Sequence, residues 1–183
     1  MNLTFPTKSA LLALSLMAAV ACEIDHEDED PTDLSTDQFS SADMAILGNY
    51  LNLSATPYNY AEPDLPEHFT GGELDGFDTM PESNETTDMG ATLGRVLFFD
   101  KQLSLNNSIA CASCHMQEYG FADTAKFSRG HDGELTRRNA MTLINARYHQ
   151  GDKYGWDERA NALEEMVLLP IEDGIEMNIT LAS

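Results

Sequence analysis

The run Cys111-Ala112-Ser113-Cys114-His115 constrains this chain more than any other feature. C-x-x-C-H is the attachment sequence for c-type haem. Its two thiols add across the porphyrin vinyl groups, and the adjacent His is placed to ligate the iron from one side. A covalent prosthetic group cannot be lost to solvent, so a small domain can be built around it. A structural zinc site is the first rival, but it needs four ligands, normally two such pairs. The chain has three cysteines, and Cys22 falls in the N-terminal leader. A thioredoxin-like C-x-x-C needs strand–helix alternation around it, and the flanks here are polar and irregular. Chance occurrence of the string is the remaining rival.

Residues 1–21 read as a secretory signal peptide. Lys8 supplies the positive end, and the apolar run from Ala10 to Ala21 is too short for a bilayer crossing of about 20 residues. The run closes on Ala19-Val20-Ala21-Cys22, which resembles a bacterial lipoprotein cleavage box, with Ala where Leu is more usual. Lipidation of Cys22 would then anchor the mature N-terminus. Ordinary cleavage after Ala19 or Ala21 is the alternative, and leaves Cys22 a stray thiol. Both routes export the chain, which agrees with haem attachment outside the bacterial inner membrane. The expected location is therefore the periplasm, or the outer membrane as a lipoprotein.

Residues 22–39 carry the run Glu23-Ile24-Asp25-His26-Glu27-Asp28-Glu29-Asp30. Such a segment repels itself and has too little apolar surface to fold, so it reads as a disordered acidic tether. His26, alone in it, is a weak metal candidate. The net charge is −21 and becomes −22 once Lys8 leaves with the leader. That charge excludes nucleic acid and anionic bilayers as partners, apart from a lipid anchor, and it steers a basic protein toward the domain.

Residues 40–183 form the expected domain. Met44, Leu47, Leu51 and Leu53, with Ile46 and Tyr50, follow helical spacing over Ser40–Leu53. Residues 54–88 are punctuated by Pro57, Pro63, Pro66, Pro81 and Gly71-Gly72, and predict an extended loop packed over the domain or leading into it. A second helix is expected over Thr87–Phe98, capped by Thr87 or Asp88, with Met89, Leu93, Val96 and Leu97 buried. The haem segment should ride on a short helix, followed by loop over 117–138 and a helical turn over Met141–Arg147. A last helix is expected over Asn161–Leu169 with Pro170 as its stop. No alternating strand pattern or internal repeat occurs. The fold class is mainly α, a cytochrome c-like haem domain with long loops.

Several segments then match one family in order and spacing. They are Leu93-Gly94-Arg95-Val96-Leu97-Phe98-Phe99-Asp100, Leu103-Ser104, the haem motif, Gly120-Phe121-Ala122-Asp123, Ser128-Arg129-Gly130-His131, Arg138-Asn139 and Leu143-Ile144-Asn145-Ala146. Trp156-Asp157-Glu158-Arg159-Ala160, Leu163-Glu164-Glu165, Pro170-Ile171 and Glu176-Met177 complete the series. Across residues 93–177 the chain resembles the N-terminal, peroxidatic half of the bacterial di-haem cytochrome c peroxidases. The methylamine-utilisation di-haem relatives share the same half.

The resemblance implies haem c on Cys111 and Cys114, with His115 as proximal iron ligand. It makes His131 the distal ligand, one that must leave for peroxide to reach the iron; a loop with Gly130 and Gly133 suits that departure. A solvent-exposed loop His is the plain alternative. Asn139 matches a calcium-binding position between the two halves, where an amide oxygen suits the hard cation; it could equally cap a helix. Trp156 matches the tryptophan between the two haems, or else fills a core. Glu176 matches the carboxylate of the peroxide pocket. Peroxide must lose a proton from one oxygen and gain it on the other before the O–O bond breaks, and a positioned Glu can shuttle it. Met166 stands where many relatives carry Gln. A thioether scarcely hydrogen-bonds, so Met166 is either an inward-facing helix residue or a soft axial ligand.

One C-x-x-C-H occurs where the family uses two haems. The resemblance therefore implies a second haem, with more of the calcium site, in a C-terminal half beyond this sequence; a one-haem chain fed by a partner is the other account. The implied activity is reduction of hydrogen peroxide to water with electrons from a small, basic cytochrome c or cupredoxin. The alternatives are a plain electron-transfer cytochrome and a di-haem oxidase of a protein substrate. A homodimer is compatible with all three.

Overall fold

Thr87 begins the longest helix among the described residues and shows how short-range signals shape the domain. In the computed structural model, which describes residues 38–71, 74–151 and 153–181, its hydroxyl accepts the Gly90 N–H at 3.1 Å. That bond caps helix Asp88–Phe99. Asp88 does not cap; its carboxylate instead takes the N–H groups of Tyr60 and Ala61 at 2.5 and 2.8 Å. The expected buried stripe shifts around the helix. Leu93 and Leu97 are exposed, Met89 and Val96 are half-buried, and Thr92 is the buried residue. Neighbouring chain covers the Met89–Thr92–Val96 side, with Ala91 and Phe98 also half-buried, and leaves Leu93 and Leu97 open. Expectations for the leader, Cys22, His26 and the tether through residue 37 lie outside the described residues.

We number the helices α1 (Ser41–Leu47), α2 (Glu67–Thr70), α3 (Asp88–Phe99), α4 (Cys111–Cys114), α5 (Leu163–Met166) and α6 (Leu169–Glu172). Ser40 starts α1 with a capping box, exchanging hydrogen bonds with Asp43. The helix stops at Leu47 rather than Leu53, because Gly48-Asn49 follows and both are weak helix formers. The last helix also departs from expectation. It splits into α5 and α6, and Pro170 lies in the first turn of α6. Its missing N–H costs nothing there, so it helps start a helix instead of ending one. Met141–Arg147 is not a helical turn; Asn145 turns left-handed (φ 59) and a 3₁₀ turn follows at Ala146–Tyr148.

The fold among the described residues is mainly helical and without strands; three isolated antiparallel bridges, Met116–Ala122, Arg129–Leu135 and Tyr154–Ala160, pin the loops. The interior is small and unusually polar. Ala110, Ala160 and Met177 are its buried apolar residues, beside Thr92, Ser104, Ser128 and Thr136. Among the described residues, every buried side-chain polar atom has a partner, as burial requires. Ser104 shows the pattern: its hydroxyl donates to Lys101 O and accepts from Ile109 N, closing the turn that leads into α4. No helix among the described residues is long and apolar enough to cross a membrane.

Candidate haem-attachment site

α4 sets Cys111 and Cys114 one turn apart, and both are free, half-buried thiols. Burial raises both pKa values. At Cys114 a bond to Ser128 opposes the rise, while the charges of Glu176 and Asp123 add to it. Zinc ligation and thiol redox chemistry both use thiolate, and this environment favours the protonated form. Nor do any three His, Cys, Asp or Glu side chains among the described residues gather as a metal site.

His115 completes the donor set. Its N–H returns to Cys111 O at 2.9 Å, and its Nδ1 lies 3.0 Å from the Phe121 carbonyl. A carbonyl only accepts, so Nδ1 is the donor, which in the neutral ring leaves the Nε2 lone pair for a metal. Metal-binding histidines are oriented in this manner. Gly120 and Phe121 are both left-handed (φ 67 and 57); they turn the chain so that this carbonyl faces back to the imidazole. Two thiols one turn apart and an imidazole with its Nε2 free fit haem c.

The residues expected on the distal side are brought together through the main chain. His131 N–H donates to Glu176 O at 2.9 Å, and His131 Nδ1 lies 3.4 Å from Ile175 O. One step away, Leu105 N–H donates to Met177 O at 2.8 Å. Gly130 is not a flexible joint. A Cβ there would collide with the Ile175 carbonyl, so glycine is required for this close approach. Gly133 (φ 89) supplies the turn instead. The Glu176 carboxyl is half-buried and its pKa is raised, first by burial and then by Asp173; Arg159 and Arg137 pull the other way.

Asn139 and Trp156 form a second group. The Trp156 indole N–H donates to Asn139 O at 2.9 Å, and Asn139 Nδ2 donates to Asp123 O and Ala125 O. Trp156 is 60% exposed, so it does not fill a core. Met166 packs over Gly155, next to Trp156, with its sulfur 3.6 Å from where a Gly155 Cβ would stand. Sequence reasoning missed the partners that hold this framework: Phe121 behind His115, and Asn106 and Ser108 against His131. Their bonds join side chain to carbonyl across the sequence and leave no periodic signal.

The family model described as di-haem cytochrome c peroxidase matches residues 88–183, and the chain belongs to that family. The methylamine utilization protein MauG of Methylophilus methylotrophus is 38% identical over 103 residues, which is 56% of this chain and 30% of that protein. The cytochrome c551 peroxidase of Pseudomonas aeruginosa is 32% identical over 150 residues, 76% of this chain and 40% of that one. The crystal structure of a MauG-like protein associated with microbial copper homeostasis superimposes with a TM-score of 0.54 at 31% identity, covering 67% of this chain and 33% of that one. The chain thus spans less than half the length of these relatives.

Proposed function

We propose that this chain forms the peroxide-reacting haem domain of an exported di-haem enzyme. The observation that carries the reading is the pairing of His131 with Glu176 beside the C-x-x-C-H helix, where the Glu176 charge is felt at Cys114. Cys111 and Cys114 would hold haem c and His115 Nε2 would meet the iron; the bound haem supplies the redox chemistry. His131 would guard the open side. Burial and then Asp173 raise the Glu176 pKa above the ordinary carboxyl value, the direction that favours a carboxyl able to hand a proton on as well as take one up. Asn139 would offer its side-chain amide oxygen to calcium, and exposed Trp156 would lie toward a second haem. Lipidation of Cys22 and electron supply by a small basic cytochrome or cupredoxin complete the proposal.

Similarity to MauG and the exposed Trp156 favour one second reading, in which the oxidising equivalents leave through Trp156 to a protein substrate. Optical and spin-resonance spectra of the holoprotein, oxidised and part-reduced, with and without hydrogen peroxide, test the proposal. Peroxide should change the haem spectrum and be consumed when reduced donor is present. A haem that stays six-coordinate low-spin and ignores peroxide in every state sinks both readings. Consumption of peroxide without oxidation of small donors selects the second.

A further inference from the structure

The His131 carbonyl accepts two side-chain hydrogen bonds, from Asn106 Nδ2 and Ser108 Oγ, each at 2.7 Å. Asn106 is set for this by a local turn, its Oδ1 taking the Ser108 N–H at 3.2 Å. The turn itself is fixed. Asn107 is left-handed (φ 57) and donates its N–H to Ser104 O, buried Ser104 receives Ile109 N–H, and Leu105 donates to Met177 O. It ends three residues before Cys111, so whatever holds His131 is tied to the haem-attachment helix. With its N–H on Glu176 O and its C=O on Asn106 and Ser108, the His131 peptide is held from both sides.

From this we infer that Asn106 and Ser108 are positioning residues, a latch that sets how readily the His131 loop swings off the site. The inference rests on the proposed role of His131 as a departing ligand. Both side chains are exposed, so their loss removes no buried packing. The latch acts on the loop through its carbonyl alone, while the imidazole is held separately, its Nδ1 3.4 Å from Ile175 O. A swing of the whole loop breaks the two side-chain bonds together with the Ile175 contact and the main-chain bond to Glu176. By that route the turn would couple departure of the His131 loop to adjustment of the Glu176 backbone.

The test uses the full holoprotein with Asn106→Ala and Ser108→Ala combined, Ser108→Thr, and His131→Gly. Two readouts are taken: the high-spin fraction of the ferric haem by spin resonance, and amide hydrogen exchange at residues 131–134. Losing two hydrogen bonds of ordinary net strength should raise exchange there roughly tenfold and raise the high-spin fraction in parallel. Ser108→Thr, which keeps a hydroxyl, should behave as wild type. If His131→Gly turns the haem high-spin while the double variant changes neither readout, the latch is wrong and the site reading stands. If His131→Gly leaves the spectrum unchanged, the ligand role fails and takes the latch with it.

Discussion

Two regions of this domain are held in opposite ways. Around the C-x-x-C-H helix, Leu105–Met177 and His131–Glu176 meet main chain to main chain, and Asn106 and Ser108 add side-chain bonds to the His131 carbonyl. The segment from residue 54 to Thr87 is fastened chiefly through side chains, with backbone bonds such as Thr79 N–H to Arg147 O beside them. Arg147 grips Asp78 through two bonds of 2.7 and 2.5 Å, Phe69 stacks on Tyr148 at 5.0 Å, and Arg95 lies over Tyr58. Main-chain contact needs small residues and tolerates little change. Side-chain fastening is distributed, partly solvated and replaceable. The difference follows function: the residues expected at the haem sit in the first region, and the second lies before the part of the chain that matches the family model.

The comparison breaks most sharply at Gly130. Gly130→Ala drives a Cβ into the Ile175 carbonyl, which cannot move aside as a side-chain end would. A loss of about 3 kcal/mol is expected in denaturant melts of the holoprotein, with loss of protection at the His131 amide. Met177, 3% exposed, anchors the same region, and Met177→Ala should cost roughly 2–5 kcal/mol. By contrast, Asp78→Asn should cost only about 0.5–1 kcal/mol, since the pair it breaks is partly exposed. Arg147 lowers the Asp78 pKa from 3.8, so that stabilisation is present above the ordinary range and is lost as pH falls through the lowered one. The Asn variant and wild type should therefore converge in acid. A penalty for Asp78→Asn equal to that of Gly130→Ala would erase the distinction between the regions.

Two smaller effects sharpen it. Glu158 is left-handed (φ 55) in the turn closed by its N–H to Gly155 O. Glu158→Gly removes that strain and should stabilise by roughly 0.5–1 kcal/mol in the same melts. Glu176 has the opposite pH signature to Asp78. Its folded pKa is raised from 4.5, so the folded state binds the extra proton. Stability then falls as pH rises from the ordinary carboxyl range through the raised one. Glu176→Gln should flatten that fall, seen as a melting temperature that no longer drops across the window.

The legible parts of this molecule were those with local causes. The C-x-x-C-H string placed both thiols on one short helix with His115 directly after it, and Thr87 announced the start of α3. Misreadings came where tertiary contact overrode local pattern. The Leu93–Leu97 stripe has ideal spacing, yet the chain covers the Thr92 side. Pro170 looks like a stop, yet Leu169 had begun a new turn. Gly130 looks like slack, and only the Ile175 carbonyl, 45 positions on, shows it to be a packing requirement. Asn106 and Ser108 were invisible for the same reason, since their partner is a backbone atom.

Glu176 carries the central claim, and rapid mixing of the holoprotein with hydrogen peroxide tests it most directly. Glu176→Gln keeps the shape and the main-chain bond to His131 but can no longer take up or release the proton. The resting spectrum should match wild type, while the peroxide-driven spectral change slows by about 10²–10⁴-fold, the span of a lost general acid–base. Equal rates in the two proteins would contradict the account and leave Glu176 a structural carboxyl.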